Sequence, residues 1–294
     1  GVDLELARRL RRAMGLPDVP EDEPAFFEED LRALERAKVL MEEDGLTPAE
    51  LLQLTRTLGL AASRMADAVV GFWTDRLLAG PTTGDDADKL VPNPKRVEDL
   101  ELVVGYLLRR HLVDSISRRV GDASEGETGN TVAVGFADLV GFTSLSEQLS
   151  DTETAELIES FERVATDMVV GGGGRVVKMI GDEVMFSADP MVVAEIALSL
   201  AESFDSPDVP SVRVGVAVGK VVSQSGDLYG PVVNLASRAT MAARPGSVLI
   251  SPSLAELVAG DERYSVTPIK PHRLKGIGTV QLSLLRRAKE RERR

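Results

Sequence analysis

Two acidic segments lie where strands are expected to end. Residues 136–143 (FADLVGFT) place Asp138 at the end of an apolar strand, just before a glycine turn into a helix. Residues 178–183 (KMIGDE) place Asp182 at a turn between two apolar strands. Aspartates on neighbouring strand ends can bridge paired magnesium ions, which activate an attacking oxygen and neutralise a triphosphate. Each segment alone has a simpler interpretation, because Asp138 could cap a helix and Gly181-Asp182 could form an ordinary hairpin turn.

A third segment, residues 227–238 (DLYGPVVNLASR), combines a turn with the start of a helix predicted over 232–243. Asn234 and Arg238 are four residues apart, so both side chains project from one face of that helix. A guanidinium can stabilise negative charge that develops at phosphorus, and an asparagine amide can orient a ribose. Considered singly, an exposed helix arginine and a capping asparagine are the more common occurrences.

The chain changes character near residue 122. Before it, apolar residues recur at helical spacing. Residues 47–50 (TPAE) have the sequence of a capping box with proline in the first turn, which predicts a helix start. The predicted elements are helices over 31–40 and 51–69, a loop over 80–94, a long helix over 95–120 and a polar linker over 121–129.

Beyond residue 130, short apolar strands alternate with helices, a pattern typical of helices packed on a sheet. The predicted elements are strands over 131–137, 175–187 (two, joined at Ile180-Gly181), 212–222 and 247–250, and helices over 152–170, 190–204 and 232–243. The arginine-rich end from Arg286 is expected to be a frayed, solvated tail. The predicted domains are an all-α domain (1–94), a linker helix and loop (95–129), an α+β domain (130–285) and a basic tail (286–294).

The composition excludes several classes of function. The 294 residues include 34 Lys and Arg against 47 Asp and Glu, a formal net charge of −13. Such a surface repels nucleic acid and anionic membranes, although a nucleotide pocket needs only a metal and a few local cations. The absence of cysteine excludes disulfides, thiolate catalysis and cysteine-ligated zinc. No apolar run approaches the roughly 18 to 20 residues that span a bilayer, so no transmembrane segment and a cytoplasmic location are expected.

Together, the three segments resemble the catalytic domain of class III nucleotide cyclases over about residues 130–285. The type resembled is the mycobacterial adenylate cyclase with a helical N-terminal regulatory domain. The resemblance implies a ferredoxin-like palm core and the conversion of ATP to 3′,5′-cyclic AMP and pyrophosphate. Six positions carry it, namely Asp138 and Asp182 as metal-binding aspartates, Lys178 and Asp227 as the adenine-selecting pair, Asn234 as the ribose-orienting asparagine and Arg238 as the transition-state arginine.

The resemblance implies further contacts. Paired Mg²⁺ or Mn²⁺ ions would be held by the two aspartates and by Leu139. Phe142 and Thr143, after the glycine turn, would meet the phosphates, and Lys275 would reach the triphosphate. A homodimer would form two equivalent sites, with the aspartates from one subunit and the other four residues from its partner.

Hydrogen-bond polarity favours ATP as the substrate. Adenine offers an acceptor at N1 and a donor at its exocyclic amine, which suit Lys178 and Asp227. Guanine offers the opposite polarity, and each mismatched buried group would cost about 1 to 3 kcal/mol. The alternatives are a guanylate cyclase and a nucleotide-binding signalling dimer with little catalysis.

The N-terminal domain is expected to regulate the enzyme in response to a small molecule, a proton or a lipid. His111 lies on the predicted linker helix beside Arg109 and Arg110. It is either a pH-sensitive switch or a solvated helix residue. The solvated alternative is favoured, because neighbouring arginines disfavour protonation of the imidazole.

Overall fold

The computed structural model describes residues 4–18, 28–78, 94–124, 131–204 and 210–288. Contacts divide the chain into an N-terminal unit, Gly1–Ser115, and a C-terminal unit, Ile116–Arg294. Among the described residues, no helix is both long and apolar enough to cross a bilayer.

Helices make up the described part of the N-terminal unit. Leu10, Leu51 and Leu52 form its small core, with Leu34 and Leu40 partly buried against them. The helices are α1 (Leu4–Ala13), α2 (Glu28–Glu43), α3 (Pro48–Leu78) and α4 (Pro94–Ser124), the last of which continues into the C-terminal unit.

The predicted start of α3 is confirmed. The Glu50 amide donates to Thr47 Oγ1 at 3.3 Å, while the Thr47 amide donates to the Glu50 carboxylate at 2.9 Å. This reciprocal capping satisfies two amides that the first turn of a helix leaves without intrahelical partners. The pKa of Glu50 is lowered, because Thr47 donates hydrogen bonds to the charged carboxylate from its hydroxyl and its amide.

The predicted linker over 121–129 is wrong in its first four residues, which belong to α4. A single glycine in a helix costs only about 1 kcal/mol relative to alanine. Because no proline follows Gly121 before the end of α4 at Ser124, the helix continues. The rest of the linker, and the predicted loop up to residue 93, lie outside the described residues.

Strands and helices alternate in the C-terminal unit, as predicted, and the expected combination of a mixed α/β domain with an N-terminal helical region is confirmed. The elements are β1 (Thr131–Leu139), α5 (Phe142–Ser146), α6 (Asp151–Gly171), β2 (Arg175–Ile180), β3 (Glu183–Ala188), α7 (Val193–Ser203), β4 (Val212–Lys220), β5 (Val222–Gln224), β6 (Asp227–Tyr229), α8 (Pro231–Ala242), β7 (Val248–Ile250), α9 (Pro252–Leu257), β8 (Tyr264–Pro268), β9 (His272–Leu274), β10 (Gly278–Val280) and β11 (Ser283–Arg287).

A seven-stranded sheet organises this unit, in the order β2-β3-β1-β4-β7-β11-β8. Its neighbours pair antiparallel except β4 and β7, which are parallel. On one face, α6 and α7 bury Phe161 and Ile196 against the strands. On the other face, α8 packs Val232 and Ala236 in a cluster with Met185.

Gly215 determines how closely α8 approaches β4. A Cβ atom there would overlap the Thr240 amide nitrogen and lie 2.6 Å from the Ala236 carbonyl oxygen. Both obstacles are backbone atoms of α8, so they cannot move without the helix. Because Gly215 has no side chain, α8 can pack directly against β4 at this point. This contact helps to position Asn234 and Arg238, which lie on the same helix.

The predicted frayed tail from Arg286 is wrong at its beginning. Strand β11 continues to Arg287, which pairs in register with Tyr264 of β8. The Arg287 guanidinium also donates to Glu195 at 2.7 Å and to Glu202 at 2.8 Å. Strand pairing and two carboxylates thus order a segment whose composition suggests a solvated end, while residues 289–294 lie outside the described residues.

Candidate active site

The fold brings Asp138 and Asp182 together. Asp138 lies near the end of β1 and is the register partner of Glu183, the first residue of β3. Asp182 precedes Glu183 in the β2–β3 turn, and its carbonyl accepts a 3.0 Å hydrogen bond from the Leu139 amide. The Leu139 side chain is buried, so only its backbone could serve a ligand at this place.

Arg213 is a charged residue of this cluster that the sequence analysis missed. It is the register partner of Asp138 on β4, and its Nε donates to the Asp138 carboxylate at 2.5 Å. The two residues are 75 positions apart, so no local motif joins them. The signal in the sequence is a cation, Arg213, at the second position of an otherwise apolar run over residues 212–219.

Carboxylates crowd this end of the sheet. Burial raises the pKa of Asp182, and the charge of Asp138 raises it further. Burial, followed by the charges of Asp138 and Asp182, raises the pKa of Glu183 to about 7. Arg213 opposes both shifts. Extra positive charge placed here would therefore be stabilised, as the resemblance to a metal site implies.

No three His, Cys, Asp or Glu side chains in the described part of the chain form a ready metal-binding group. A cation held by Asp138 and Asp182 would therefore need further oxygen ligands, from the backbone or from a bound phosphate. Donor chemistry is favourable, because hard divalent cations prefer carboxylate and phosphate oxygens.

Lys178 and Asp227 form an ion pair between β2 and β6, although they are 49 positions apart. A β-bulge between Val176 and Lys178 interrupts the pairing of β2 with β3. Burial alone would raise the pKa of Asp227, but hydrogen bonds from Lys178 and from the Leu228 amide lower it overall. The predicted pair thus presents a fixed donor beside a charged acceptor.

Asn234 and Arg238 lie on α8, as predicted, on a different side from the buried residues Val232 and Ala236. Asn234 is exposed and Arg238 is half-buried. The Arg238 guanidinium contacts Met241 Sδ at 3.1 Å, and within the described chain it forms no ion pair. Both polar groups therefore remain available to a ligand.

The other predicted substrate contacts, Phe142, Thr143 and Lys275, lie on different elements. Gly141 adopts a positive φ of 77° before α5, Phe142 packs partly buried against the α6–α7 core, and Thr143 is exposed. Lys275 is exposed in the turn between β9 and β10. Among the residues described, the Arg213 guanidinium donates to the Met241 carbonyl of α8 at 3.5 Å, whereas no hydrogen bond or ion pair joins the Asp138–Arg213 cluster to Lys178–Asp227 or to Lys275.

Comparison with known proteins identifies the family of this chain. The family model for the adenylate and guanylate cyclase catalytic domain matches residues 125–286. The chain belongs to this family. An adenylate cyclase from Glutamicibacter nicotianae is 34% identical over 96% of this chain and 75% of its own length. One from Streptomyces coelicolor is 38% identical over 87% of this chain and 68% of its own length.

A third relative of this cyclase extends over nearly the whole chain. It is a protein from Mycobacterium tuberculosis named as a pH-sensitive adenylate cyclase, 33% identical over 99% of this chain and 77% of its own length. Among solved structures, the catalytic core of a rhodopsin-guanylyl cyclase with converted specificity, in complex with ATPαS, covers 55% of this chain and 99% of its own. Its TM-score is 0.50 at 23% identity, a likeness that concerns the fold alone.

Proposed function

We propose that this cyclase is an adenylate cyclase that converts ATP to 3′,5′-cyclic AMP and pyrophosphate at sites shared between the subunits of a homodimer. The observation that carries the proposal is the Lys178–Asp227 ion pair, which sets a donor beside an acceptor. That polarity matches N1 and the exocyclic amine of adenine. The adenylate cyclases that share 33 to 38% identity with the chain support the same substrate.

Asp138, Asp182 and the Leu139 backbone are proposed to hold divalent cations, Mg²⁺ or Mn²⁺. Such ions would supply Lewis-acid stabilisation of a triphosphate and lower the pKa of a ribose hydroxyl. The chain's own contribution is a cluster whose crowded carboxylates repel one another. Arg213 adds a guanidinium beside the cluster, suited to phosphate oxygens that come near Asp138.

In the proposed reaction, the 3′-oxygen of ATP attacks the α-phosphorus, and its proton passes to solvent water. The new O3′–P bond closes the ring, while the bond from the α-phosphorus to the bridging oxygen breaks and pyrophosphate leaves. Asn234 would orient the ribose, and Arg238 would stabilise the charge that develops at phosphorus. Phe142 and Thr143 would lie beside the phosphates, and Lys275 would reach the triphosphate.

A homodimer is proposed because, among the described residues, no hydrogen bond or ion pair directly joins the carboxylates to the side chains of Lys178, Asp227, Asn234 or Arg238. Arg213 pairs with Asp138, whereas Lys178 pairs with Asp227. Two copies related by a two-fold axis would set the carboxylates of one chain against the remaining residues of the other, twice. We further propose that residues 1–94 regulate the enzyme, in response to a small molecule, a proton or a lipid, and that it works in the cytoplasm.

The base assignment is tested by the double variant Lys178→Glu/Asp227→Cys, which reverses the hydrogen-bond polarity. The cyclic AMP and cyclic GMP formed from equal ATP and GTP would be measured with each metal. We expect the parent to prefer ATP and the variant to lower that preference by roughly tenfold or more, since mismatched buried groups discriminate strongly. A folded variant with the parent's ratio would contradict the base assignment, and a parent that prefers GTP would make the protein a guanylate cyclase.

A further inference from the structure

A cleft with a volume of about 610 Å³ lies in the C-terminal unit, outside the proposed active site. Its walls come from the end of α7, the segment that joins α8 to β7, and the end of β11. None of the residues assigned above to metal, base, ribose or phosphate lines it. The volume is in the range of small-molecule sites, roughly 300 to 1,000 Å³.

The charged residues that line this basic cleft are mostly cationic, although the chain as a whole has a net charge of −13. Arg244, Lys270 and Arg286 line it, and none of the three forms an ion pair within the described residues. The one acidic residue in the described lining, Glu202, already accepts from Arg287 at 2.8 Å. Within the part of the chain that the structure describes, three cations therefore line one cavity without a paired carboxylate, an arrangement that an anion would stabilise.

His272 adds a directed polar group to the basic cleft. Its Nδ1 donates to the Lys270 carbonyl at 2.6 Å, which fixes the ring and leaves Nε2 for another partner. The floor is apolar, because Val248, Leu249 and Leu285 are buried beneath the charged residues. A ligand that matches both parts would carry an anionic group and a compact apolar body.

We infer that the basic cleft binds a small organic phosphate, with the phosphate held by Arg244, Lys270 and Arg286 and the apolar part against the leucine floor. Two guanidinium groups and an ammonium suit a phosphate better than a carboxylate, because its three oxygens accept several charge-assisted hydrogen bonds at once. The inference does not depend on the proposed cyclase reaction, since the cleft shares no residue with that site.

The test is a fluorescence titration of the full chain with 1-naphthyl phosphate, repeated on the active-site variant Arg238→Ala, which should bind the probe with the parent's Kd. The variant Arg244→Gln/Arg286→Gln should raise the Kd by about tenfold or more, as expected for loss of charge-assisted hydrogen bonds. Lys270→Gln alone should raise it less. The charge-matched control, Arg163→Gln/Lys220→Gln, changes exposed residues elsewhere and should leave the Kd unchanged. Circular dichroism would verify that each variant is folded.

Four results would overturn the inference. An equal Kd for the parent and the cleft variants would exclude these three cations from the binding. An equal loss of affinity in the control pair would indicate non-specific charge attraction. Neutral 1-naphthol that binds as tightly as its phosphate would leave only an apolar contact, and loss of probe binding in Arg238→Ala would place the phosphate in the active site instead.

Discussion

At the residue scale, one guanidinium, that of Arg213, acts on three carboxyl groups, those of Asp138, Asp182 and Glu183. Arg213 compensates Asp138 directly, at 2.5 Å, and lowers the pKa of Asp182 and Glu183 through its charge. Burial nevertheless leaves both of these carboxyl groups easier to protonate than they would be in water. A site that disfavours its own negative charge is prepared for a cation, at the expense of stability without one.

The variant Asp182→Asn tests whether the Asp182 charge lowers stability without a cation and is needed for activity with one. Because the raised pKa means that the folded chain disfavours the charged form, the neutral amide should leave the metal-free thermal midpoint equal to or above the parent's. Cyclic AMP production with Mn²⁺ should fall roughly a hundredfold or more, since the charge that faces the cation is lost. The control Asp167→Asn changes an exposed α6 residue and should alter neither quantity. Normal turnover in Asp182→Asn would remove Asp182 from the metal site.

The raised pKa of Glu183 predicts that the stability of the metal-free protein depends on pH. Its pKa is raised from 4.5 to about 7, so between those values the unfolded chain releases a proton that the folded chain retains. Stability should therefore fall as pH rises from about 5 to 7.5. Glu183→Gln should flatten that slope, measured as the urea midpoint at several pH values. An unchanged slope would show that other groups dominate.

At the scale of elements, Gly215→Ala tests the contact between β4 and α8. The added methyl meets backbone atoms of Ala236 and Thr240, so α8 must shift, at a cost of about 1 to 3 kcal/mol. Activity should fall with stability, because Asn234 and Arg238 move with the helix. Gly171→Ala is the matched control: nothing lies within 4 Å of a Cβ there, so melting temperature and turnover should stay near the parent's. A Gly215→Ala variant that matches the parent in both would refute the close packing.

Elements could be predicted where a local signal was strong. Helical periodicity and the Thr47 cap located α3, and apolar runs located β1 to β4. The short strands β8 to β11 were missed, because three to five residues carry too little periodicity. Arg213 was missed for a related reason: its partner Asp138 is 75 positions away, and only the register of β1 with β4 brings them together. The frayed tail was wrong because composition does not reveal the pairing of β11 with β8.

At the scale of the whole molecule, regulation remains a prediction. His111 is exposed on α4, which agrees with the solvated alternative and does not distinguish it from a switch. Helix α4 belongs to both contact units, since the division falls after Ser115 within it.

The proposed homodimer predicts that two inactive variants restore activity when their chains are mixed. Asp138→Ala damages the carboxylate cluster and Arg238→Ala damages the α8 set, so a heterodimer would contain one site with both lesions and one with neither. Random exchange in an equal mixture should restore about a quarter of the parent's cyclic AMP production, because half of the dimers are mixed and each has one intact site of two.

The matched control mixes Asp138→Ala with Asp182→Ala. Both lesions lie in the carboxylate cluster, so every site in their heterodimer lacks one aspartate and no activity should return. Two affinity tags would verify that mixed dimers form in each experiment. Inactive but verified heterodimers of Asp138→Ala with Arg238→Ala would mean that each site is built within one chain. Equal recovery in both mixtures would instead mean that exchange restores activity by a route other than composite sites.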